Sequence, residues 1–171
     1  TNSYTKFIPD VYKISSINQR LEILQGLLDT DGYVNKRGGG CEIILASKQM
    51  ILDMQFIVQS LGGIGRLRKK HVKYKGERRL YWRLGIKLPP EFTPFKLNRK
   101  INTYIKPSKY LPNRAIKNIT YVGKKEAQCI LVDSKDHLYV TDNCVLTHNT
   151  LSSIAYVEMS GFEKVIVITP N

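Results

Sequence analysis

The segment from Ser16 to Gly32 constrains the fold most, because it carries the signals of a helix from start to end. Ser16 and Gln19 have the spacing of a capping box, in which two side chains bond free backbone N–H groups at the start of a helix. Apolar residues then recur with a helical period at Ile17, Leu21, Leu24 and Leu28. Gly32 is a typical helix stop. The segment predicts an amphipathic helix that ends near Asp29.

Further patterns predict a sheet packed against helices. Ser47 to Leu61 has a second helical repeat, and a short strand pattern over Glu42 to Ala46 precedes it. Later the period changes to two, where Leu80, Trp82, Leu84 and Ile86 alternate with Tyr81, Arg83, Gly85 and Lys87. The basic strand before it places Arg66, Arg68 and Lys70 on one face and Lys69, His71 and Lys73 on the other. Two polar faces are typical of an edge strand. The chain is therefore predicted to be α+β.

The positive charge of the chain is concentrated in one block. The formal net charge is +13, and the stretch from Gly65 to Lys125 contains 19 lysines and arginines but two acids. Such a block favours a polyanionic partner, with double-stranded DNA as the leading candidate. A solvated surface with incidental lysines is the alternative. The candidate DNA-binding residues are Arg66, Arg68, Lys70, Tyr81, Arg83, Lys87, Arg99 and Lys100.

Apolar runs and cysteines argue against several classes of protein. The longest apolar runs, such as Val165 to Ile168, are too short to span a membrane. Three cysteines, odd in number and far apart, indicate neither a disulfide framework nor a zinc ribbon. No secretory signal opens the chain. We expect an intracellular, cytoplasmic protein in a reducing compartment, with no membrane partner.

Asp29 and Asp31 stand where the first helix ends, close to the negative end of its dipole. Acids there are unfavourable by a few tenths to about 1 kcal/mol each, and a sequence that tolerates them often binds a cation. Carboxylate and carbonyl oxygens suit Mg²⁺, which takes few protein ligands and keeps several waters. A plain Asp-Thr-Asp-Gly turn after a core helix is the alternative.

The nine residues from Leu24 to Gly32 resemble the LAGLIDADG motif of homing endonucleases, including both acids and the final glycine. The lead-in from Lys6 to Pro9 resembles the second repeat of two-motif members carried within inteins. With the basic strands, the resemblance covers residues 1–125. It implies a helix pair at a pseudo-twofold interface and a saddle of strands in the DNA major groove. It also implies that Asp31 binds Mg²⁺ near the scissile phosphate.

The same resemblance implies a basic residue that assists hydrolysis, and a second motif. Lys48 is the first choice for the assisting residue and Lys100 the alternative, although either lysine can be a simple phosphate contact. Cleavage of both strands needs two motifs. The chain must therefore pair with itself as a homodimer or with a missing N-terminal half that carries the first repeat, and the lead-in favours the missing half.

A second constellation, His148-Asn149-Thr150, has the chemistry of a protein splice junction. An asparagine amide can attack its own backbone carbonyl and cut the chain, while a preceding histidine supplies a proton and a following threonine offers a hydroxyl nucleophile. Residues 129–150 resemble the two C-terminal splicing blocks of inteins. That resemblance implies the following roles: Asn149 cyclises, His148 and His137 assist it, Asp133 is the acid of its block, and Thr150 is the first C-extein residue.

The remaining residues resemble part of a host protein. Thr150 and a helix predicted over 151–159 look like the end of a phosphate-binding loop, and the apolar strand over 164–169 resembles the next strand of a superfamily 2 helicase. We therefore divide the chain into an endonuclease half (1–125), a small β splicing remnant (126–149, with strands over 129–132 and 137–141) and a short α/β C-extein (150–171).

With no N-terminal splicing block, the chain is interpreted as a C-terminal intein fragment in which neither activity is complete; splicing needs no cofactor. A free-standing, dimeric LAGLIDADG DNA-binding or homing protein with relic splicing motifs is the alternative, and it predicts a stable twofold dimer. A nucleic-acid-dependent ATPase fragment fails as an activity, because one helix and one strand cannot hold ATP.

Overall fold

The computed structural model describes residues 2–36, 40–74, 76–106, 112–121, 123 and 132–148, with the backbone alone at Tyr74 and His148. The described residues fall into two units, which divide between Ala115 and Ile116. The helix predicted over 151–159, the strand predicted over 164–169 and most of the strand predicted over 129–132 lie outside these residues.

The first unit contains four helices and four strands among its described residues. In chain order they are α1 (Asp10–Lys13), α2 (Ile17–Asp31), β1 (Gly32–Val34), β2 (Cys41–Leu45), α3 (Lys48–Ser60), β3 (Ile64–Tyr74), β4 (Glu77–Lys87) and α4 (Asn98–Ile101). The strands pair antiparallel in the spatial order β1-β2-β4-β3. The predicted α+β class is confirmed, and β3 lies at an edge of the sheet, as its two polar faces indicated.

Helix α2 begins at the predicted capping box and ends later than predicted. The N–H of Gln19 donates to Oγ of Ser16, and the N–H of Ser16 donates to Oε1 of Gln19, both over 3.3 Å. The helix continues through Asp31, so both motif acids lie in its last turn. Gly32 then leads directly into β1. A Cβ at Gly32 would lie 2.8 Å from Cα of Leu28, so this close approach requires glycine.

Helices α2 and α3 contribute to the core that covers one face of the sheet. Ser47 caps α3 by accepting the N–H of Met50 (3.1 Å), and Leu61 ends it, as predicted. Most of the fully buried core side chains come from both helices and the two central strands: Leu24, Leu28, Ile43, Ile51, Met54, Ile57, Val58, Leu84 and Ile86. Ile17 is 53% exposed, so the apolar repeat of α2 is not wholly buried in this unit.

A buried carboxylate fastens the N-terminal lead-in to α3. Asp53, 2% exposed, accepts the N–H of Ile8 (2.8 Å), Nζ of Lys13 (2.9 Å) and Nε2 of Gln49 (2.9 Å). Hydrogen bonds from Lys13 to Asp10 and Asp53 raise the pKa of the Lys13 ammonium. A buried carboxylate is stable only when it is paired in this way. The lead-in, predicted only as polar chain, is therefore part of the packed unit.

The connection after the sheet also enters the core. The sequence over 96–125 is basic and punctuated by prolines, and its first part contains α4. The rings of Phe95 and Tyr104 pack edge to face with centroids 5.8 Å apart, and both residues are buried. Lys100, on α4 between them, is also buried. Apolar residues spaced widely among lysines gave no periodic signal, so the sequence did not reveal this packing.

The second unit contains a two-stranded hairpin, β5 (Leu138–Thr141) paired with β6 (Val145–His148). Its turn has left-handed backbone at Asn143 (φ 61°) and Cys144 (φ 55°). Oγ1 of Thr141 donates to the carbonyl of Val145 over 3.0 Å and closes the hairpin. The strand predicted over 137–141 is thus present from Leu138 onward.

The two cysteines in the described part of the chain differ in their burial. Cys41, at the start of β2, is buried, and burial raises the pKa of its thiol to about 12, so it stays protonated at neutral pH. Cys144 in the second unit is half-buried.

No helix in the described part of the chain is long and apolar enough to cross a bilayer.

Candidate active site and nucleic-acid interface

The two motif acids have different surroundings. The carboxylate of Asp29 accepts the backbone N–H groups of Lys96 (3.0 Å) and Leu97 (3.3 Å), and so it fastens the chain just before α4. Asp31, the last residue of α2, is exposed, and none of the described residues donates a hydrogen bond to its carboxylate. Asp29 is therefore a structural acid, while Asp31 is available to a ligand.

Lys100 neutralises the end of helix α2. Its Nζ donates to the carbonyl of Leu28 (2.6 Å) and to the carbonyl of Gly32 (2.7 Å). Burial lowers the pKa of this ammonium and Arg99 lowers it further, while Asp29 and Asp31 act in the opposite direction. A cation at a helix C-terminus interacts favourably with the dipole. Lys100 therefore explains how two acids are tolerated in the last turn of α2.

Asp31 lines a cleft of about 420 Å³ that runs from the end of α2 to the sheet. Its other walls include Ser3 and Lys6 from the lead-in, Ile44 from β2 and Tyr81 from β4. Tyr81 was predicted to bind DNA. Lys6 was quoted only as part of the resemblance, and its place beside Asp31 depends on the anchoring of the lead-in, which no local pattern reveals.

Lys48, the first choice for an assisting base, begins α3. Its Nζ lies 5.3 Å from the ring centroid of Trp82, and Nζ of Lys69 lies 5.9 Å from the same ring. These are cation–π contacts. Lys100, the alternative, is instead hydrogen-bonded at the end of α2 that carries Asp31. Of the two lysines, the structure places Lys100 at the helix end that carries the acids.

Among the described residues at the end of α2, Asp31 is the one available carboxylate that could hold a metal ion. Within the described ranges there is no group of three or more His, Cys, Asp and Glu residues that could hold a metal ion. The carbonyls of Leu28 and Gly32 at the end of α2 already accept from Lys100. Asp31 alone fits Mg²⁺ held by one protein carboxylate, waters and phosphate oxygens.

The strand register gathers the predicted cations of the sheet onto one surface. Arg66, Arg68 and Lys70 of β3 lie opposite Gly85, Arg83 and Tyr81 of β4, and Lys87 lies opposite Ile64. Partners in register share a face. We call this surface the outer face; its described residues include Tyr33 of β1, Glu42 and Ile44 of β2, Ile64, Arg66, Arg68, Lys70 and Val72 of β3, and Glu77, Arg79, Tyr81, Arg83, Gly85 and Lys87 of β4.

Arg99 and Lys100 do not belong to the outer face. Both lie on α4, where Arg99 is exposed and Lys100 is buried. The DNA-binding candidates therefore divide into six residues on the sheet and two on α4.

Two of the predicted splicing residues, His137 and His148, lie at the open end of the hairpin. Leu138 pairs with His148, so His137 directly precedes the pair that holds His148. His137 has a left-handed backbone (φ 50°), and its Nδ1 lies 2.9 Å from the carbonyl of Val132. Asp133 is exposed. Asn149 and Thr150 lie outside the described residues, as does the side chain of His148.

Replacing Lys100 with methionine is expected to lower the free energy of unfolding of the first unit by about 2–3 kcal/mol. Methionine keeps the volume but removes the ammonium that donates to the carbonyls of Leu28 and Gly32. The carbonyl of Leu28 still accepts the N–H of Gly32, whereas the carbonyl of Gly32 loses its side-chain donor, and a buried acceptor left unpaired costs about 1–3 kcal/mol. Urea unfolding followed by the fluorescence of Trp82, the one tryptophan of the chain, measures the loss.

The matched control is Lys96→Met. Lys96 is exposed and pairs through Nζ with Glu22 over 3.1 Å, so its loss should change the stability by less than about 0.5 kcal/mol. Equal effects of the two substitutions would contradict the assignment of Lys100 as the cap of α2.

The chain is similar to a protein family and to individual proteins from two organisms. Residues 18–128 match the LAGLIDADG-like domain family. The chain is also 27% identical over 157 residues to the replicative DNA helicase DnaB of Mycobacterium intracellulare, and 27% identical over 124 residues to a probable translation initiation factor IF-2 of Methanocaldococcus jannaschii. These matches cover 89% and 66% of this chain, but only 27% and 11% of the respective relatives.

The family match extends over more than half of the chain and includes the motif helix, the antiparallel sheet and the segment that carries α4. The structure agrees with this family match, because a capped helix with two acids at its end packs against the sheet. The chain belongs to the LAGLIDADG family.

Proposed function

We propose that this chain is half of a metal-dependent, site-specific DNA endonuclease, joined to the C-terminal splicing segment of an intein. One observation carries the endonuclease part: the cleft at the exposed Asp31 opens toward Tyr81 and Ile44 of the basic outer face. A phosphodiester held on that face would thus lie close to an available carboxylate.

The dimensions of the β3–β4 hairpin suit duplex DNA. Each strand has 11 residues, which corresponds to a length of about 36 Å at about 3.3 Å per residue. One turn of B-DNA is about 34 Å long, and its major groove admits a two-stranded ribbon. The hairpin can therefore follow the groove for about one turn while its cations contact phosphates.

Asp31 is the proposed metal-binding acid, with Mg²⁺ as the proposed cofactor. A divalent ion in such a site supplies Lewis-acid polarisation of the phosphate and lowers the pKa of a bound water. The chain's own contribution is positional. Lys100 holds the end of α2 in place, and Lys6, on the wall of the same cleft, is placed to contact a phosphate oxygen. Lys48 remains the other proposed assisting residue.

A partner must supply the second acid. Gly26 of α2 is exposed and has open space where a side chain would be. A small residue of this kind lets a second helix approach closely. We propose that this helix belongs to a missing N-terminal half with the first repeat. The alternative is a homodimer of a free-standing protein, for which sedimentation would show a stable dimer of the purified chain.

The splicing part of the proposal is supported by the hairpin of the second unit. The pairing of Leu138 with His148 brings His137 next to the predicted junction, where two histidines are needed for proton transfer to and from Asn149. Thr150 would then begin the C-extein. The match to the M. intracellulare protein spans 89% of the chain, and so it includes this hairpin.

The names of the two relatives agree with an inserted element. One is named a replicative DNA helicase and the other a probable translation initiation factor, yet this chain resembles a part of each. A segment shared by proteins of different function is typical of an insertion rather than of a host domain. A helicase or ATPase as the host extein is compatible with the first relative.

The outer face predicts a salt-dependent affinity for duplex DNA. Each cation that reaches a phosphate contributes about −0.9 to the slope of log K against log salt. Arg66→Ala and Lys70→Ala should each make that slope less negative by about 1. Fluorescence anisotropy with a labelled 30-base-pair duplex between about 50 and 200 mM KCl measures it.

Lys96→Ala is the control for the binding measurement. Lys96 is an exposed lysine of the same unit that lies off the outer face and pairs with Glu22, so the slope should stay at the value of the unaltered chain. A slope near zero for the unaltered chain, or an equal response to Lys96→Ala, would overturn the proposed DNA interface.

A further inference from the structure

A carboxylate lies at the centre of the basic outer face. Glu42 of β2 forms an ion pair with Arg83 of β4, between its Oε2 and Nη2 of the arginine. The side chain of Glu42 is 20% exposed and that of Arg83 is 44% exposed, so both can still reach a ligand. Glu77, the other carboxylate among the described residues of this face, lies at the hairpin tip and pairs with Arg79 (3.1 Å).

Next to this pair the face has a depression with no side chain at its centre. Gly85 lies between Glu42 on β2 and Arg66 on β3 in the strand register. The depression has a volume of about 310 Å³ and is lined by Glu42, Arg66, Arg68, Arg83 and Lys87 among others. It is therefore a polar pocket in which one carboxylate stands among four cations.

The fold itself does not require a glycine at this position. A Cβ at Gly85 would meet its nearest atom, the carbonyl oxygen of Arg66, at 3.9 Å, which is ordinary contact. A glycine inside a strand weakens the strand, and it often marks a place where a ligand comes close to the backbone. The absence of a packing reason points to such a ligand here.

The carboxylate indicates what kind of ligand this is. A phosphate would be repelled by Glu42, so a face that served only the DNA backbone would lose affinity by keeping it. In the major groove, by contrast, a carboxylate accepts the N4 amino group of cytosine, and an arginine donates to O6 and N7 of guanine. The two groups lie side by side on the edge of one C·G base pair.

We propose that Glu42 and Arg83, over the depression at Gly85, read one C·G base pair in the major groove of the DNA target. Glu42 accepts from cytosine, Arg83 donates to guanine, and Arg66, Arg68 and Lys87 hold the flanking backbone. The ion pair keeps both side chains oriented before DNA binds. This inference rests on the proposed DNA binding, and it makes the pair a determinant of sequence specificity.

The test is selection from a pool of duplexes with a randomised centre, followed by sequencing of the fraction that the purified chain retains. The unaltered chain should show one position with at least about a tenfold preference for a C·G pair. Glu42→Gln should reduce that preference to less than threefold and leave total retention equal or higher, because a negative charge is removed. Arg83→Lys should lose the preference at the same position, because lysine lacks the paired donors.

Glu77→Gln is the matched control, since it removes the second carboxylate of the outer face away from the depression and should leave the profile intact. Retention of DNA without any C·G preference, or the same profile after Glu42→Gln, would overturn the reading role while the proposed DNA binding stands. Failure of the unaltered chain to retain any duplex would overturn the proposed function and this inference together.

Discussion

Substitution of Asp31 by asparagine is expected to reduce DNA cleavage at least about a hundredfold, while the affinity for the same DNA changes less than about threefold. Metal-assisted hydrolysis supplies several kcal/mol of transition-state stabilisation, and each 1.4 kcal/mol or so corresponds to a tenfold change in rate. Asparagine keeps the shape of the exposed side chain but removes the charge that would bind Mg²⁺. The outer face, which holds the DNA, is untouched.

The measurement uses the duplexes retained in the selection experiment and a candidate N-terminal half that supplies the second acid, with nicking of either strand followed on denaturing gels in the presence of Mg²⁺. Asp29→Asn is the matched control, because Asp29 already accepts two backbone N–H groups near α4 and is not available to a ligand. Asp29→Asn should lower the free energy of unfolding, with a smaller effect on the rate of DNA cleavage. If Asp31→Asn abolished DNA binding as well, or if Asp29→Asn were the inactive variant, the metal role of Asp31 would be wrong.

Substitution of Asn149 by alanine is expected to prevent completely the release of the segment from Thr150 to Asn171. Cyclisation joins the side-chain nitrogen of asparagine to its own backbone carbonyl carbon and breaks the peptide bond to Thr150, with the proton going to the leaving amine. Alanine has no nitrogen that could attack. Intact-mass spectrometry after incubation near neutral pH, with and without a candidate N-terminal intein half, detects the loss of these 22 residues.

Asn118→Ala is the control for this reaction. Asn118 is an exposed asparagine of the same unit, and its Nδ2 donates to Oγ1 of Thr120 over 3.2 Å. The substitution should leave the mass change as it is in the unaltered chain. A spliced product that forms only with the added half would identify a split intein. Continued release after Asn149→Ala would refute the assignment of the splice junction.

Local patterns alone determined much of the first unit. The capping box at Ser16 and Gln19, the helical repeat from Ser47 to Leu61 and the period-two alternation in β4 depend on neighbours in sequence, and each is present as predicted. The position of β3 at the edge of the sheet also followed from its two polar faces. These features are visible in sequence because side chains a few residues apart determine them.

Tertiary structure decided how the site is assembled. Asp29 and Asp31 have the same local signal, and only the contacts of Asp29 with the chain before α4 distinguish a structural acid from an available one. Lys100 reaches the end of α2 from far along the chain, and the ion pair of Glu42 with Arg83 needs the register of β2 and β4. Such contacts join residues that are distant in sequence, and their geometry is specified only when the core between them packs.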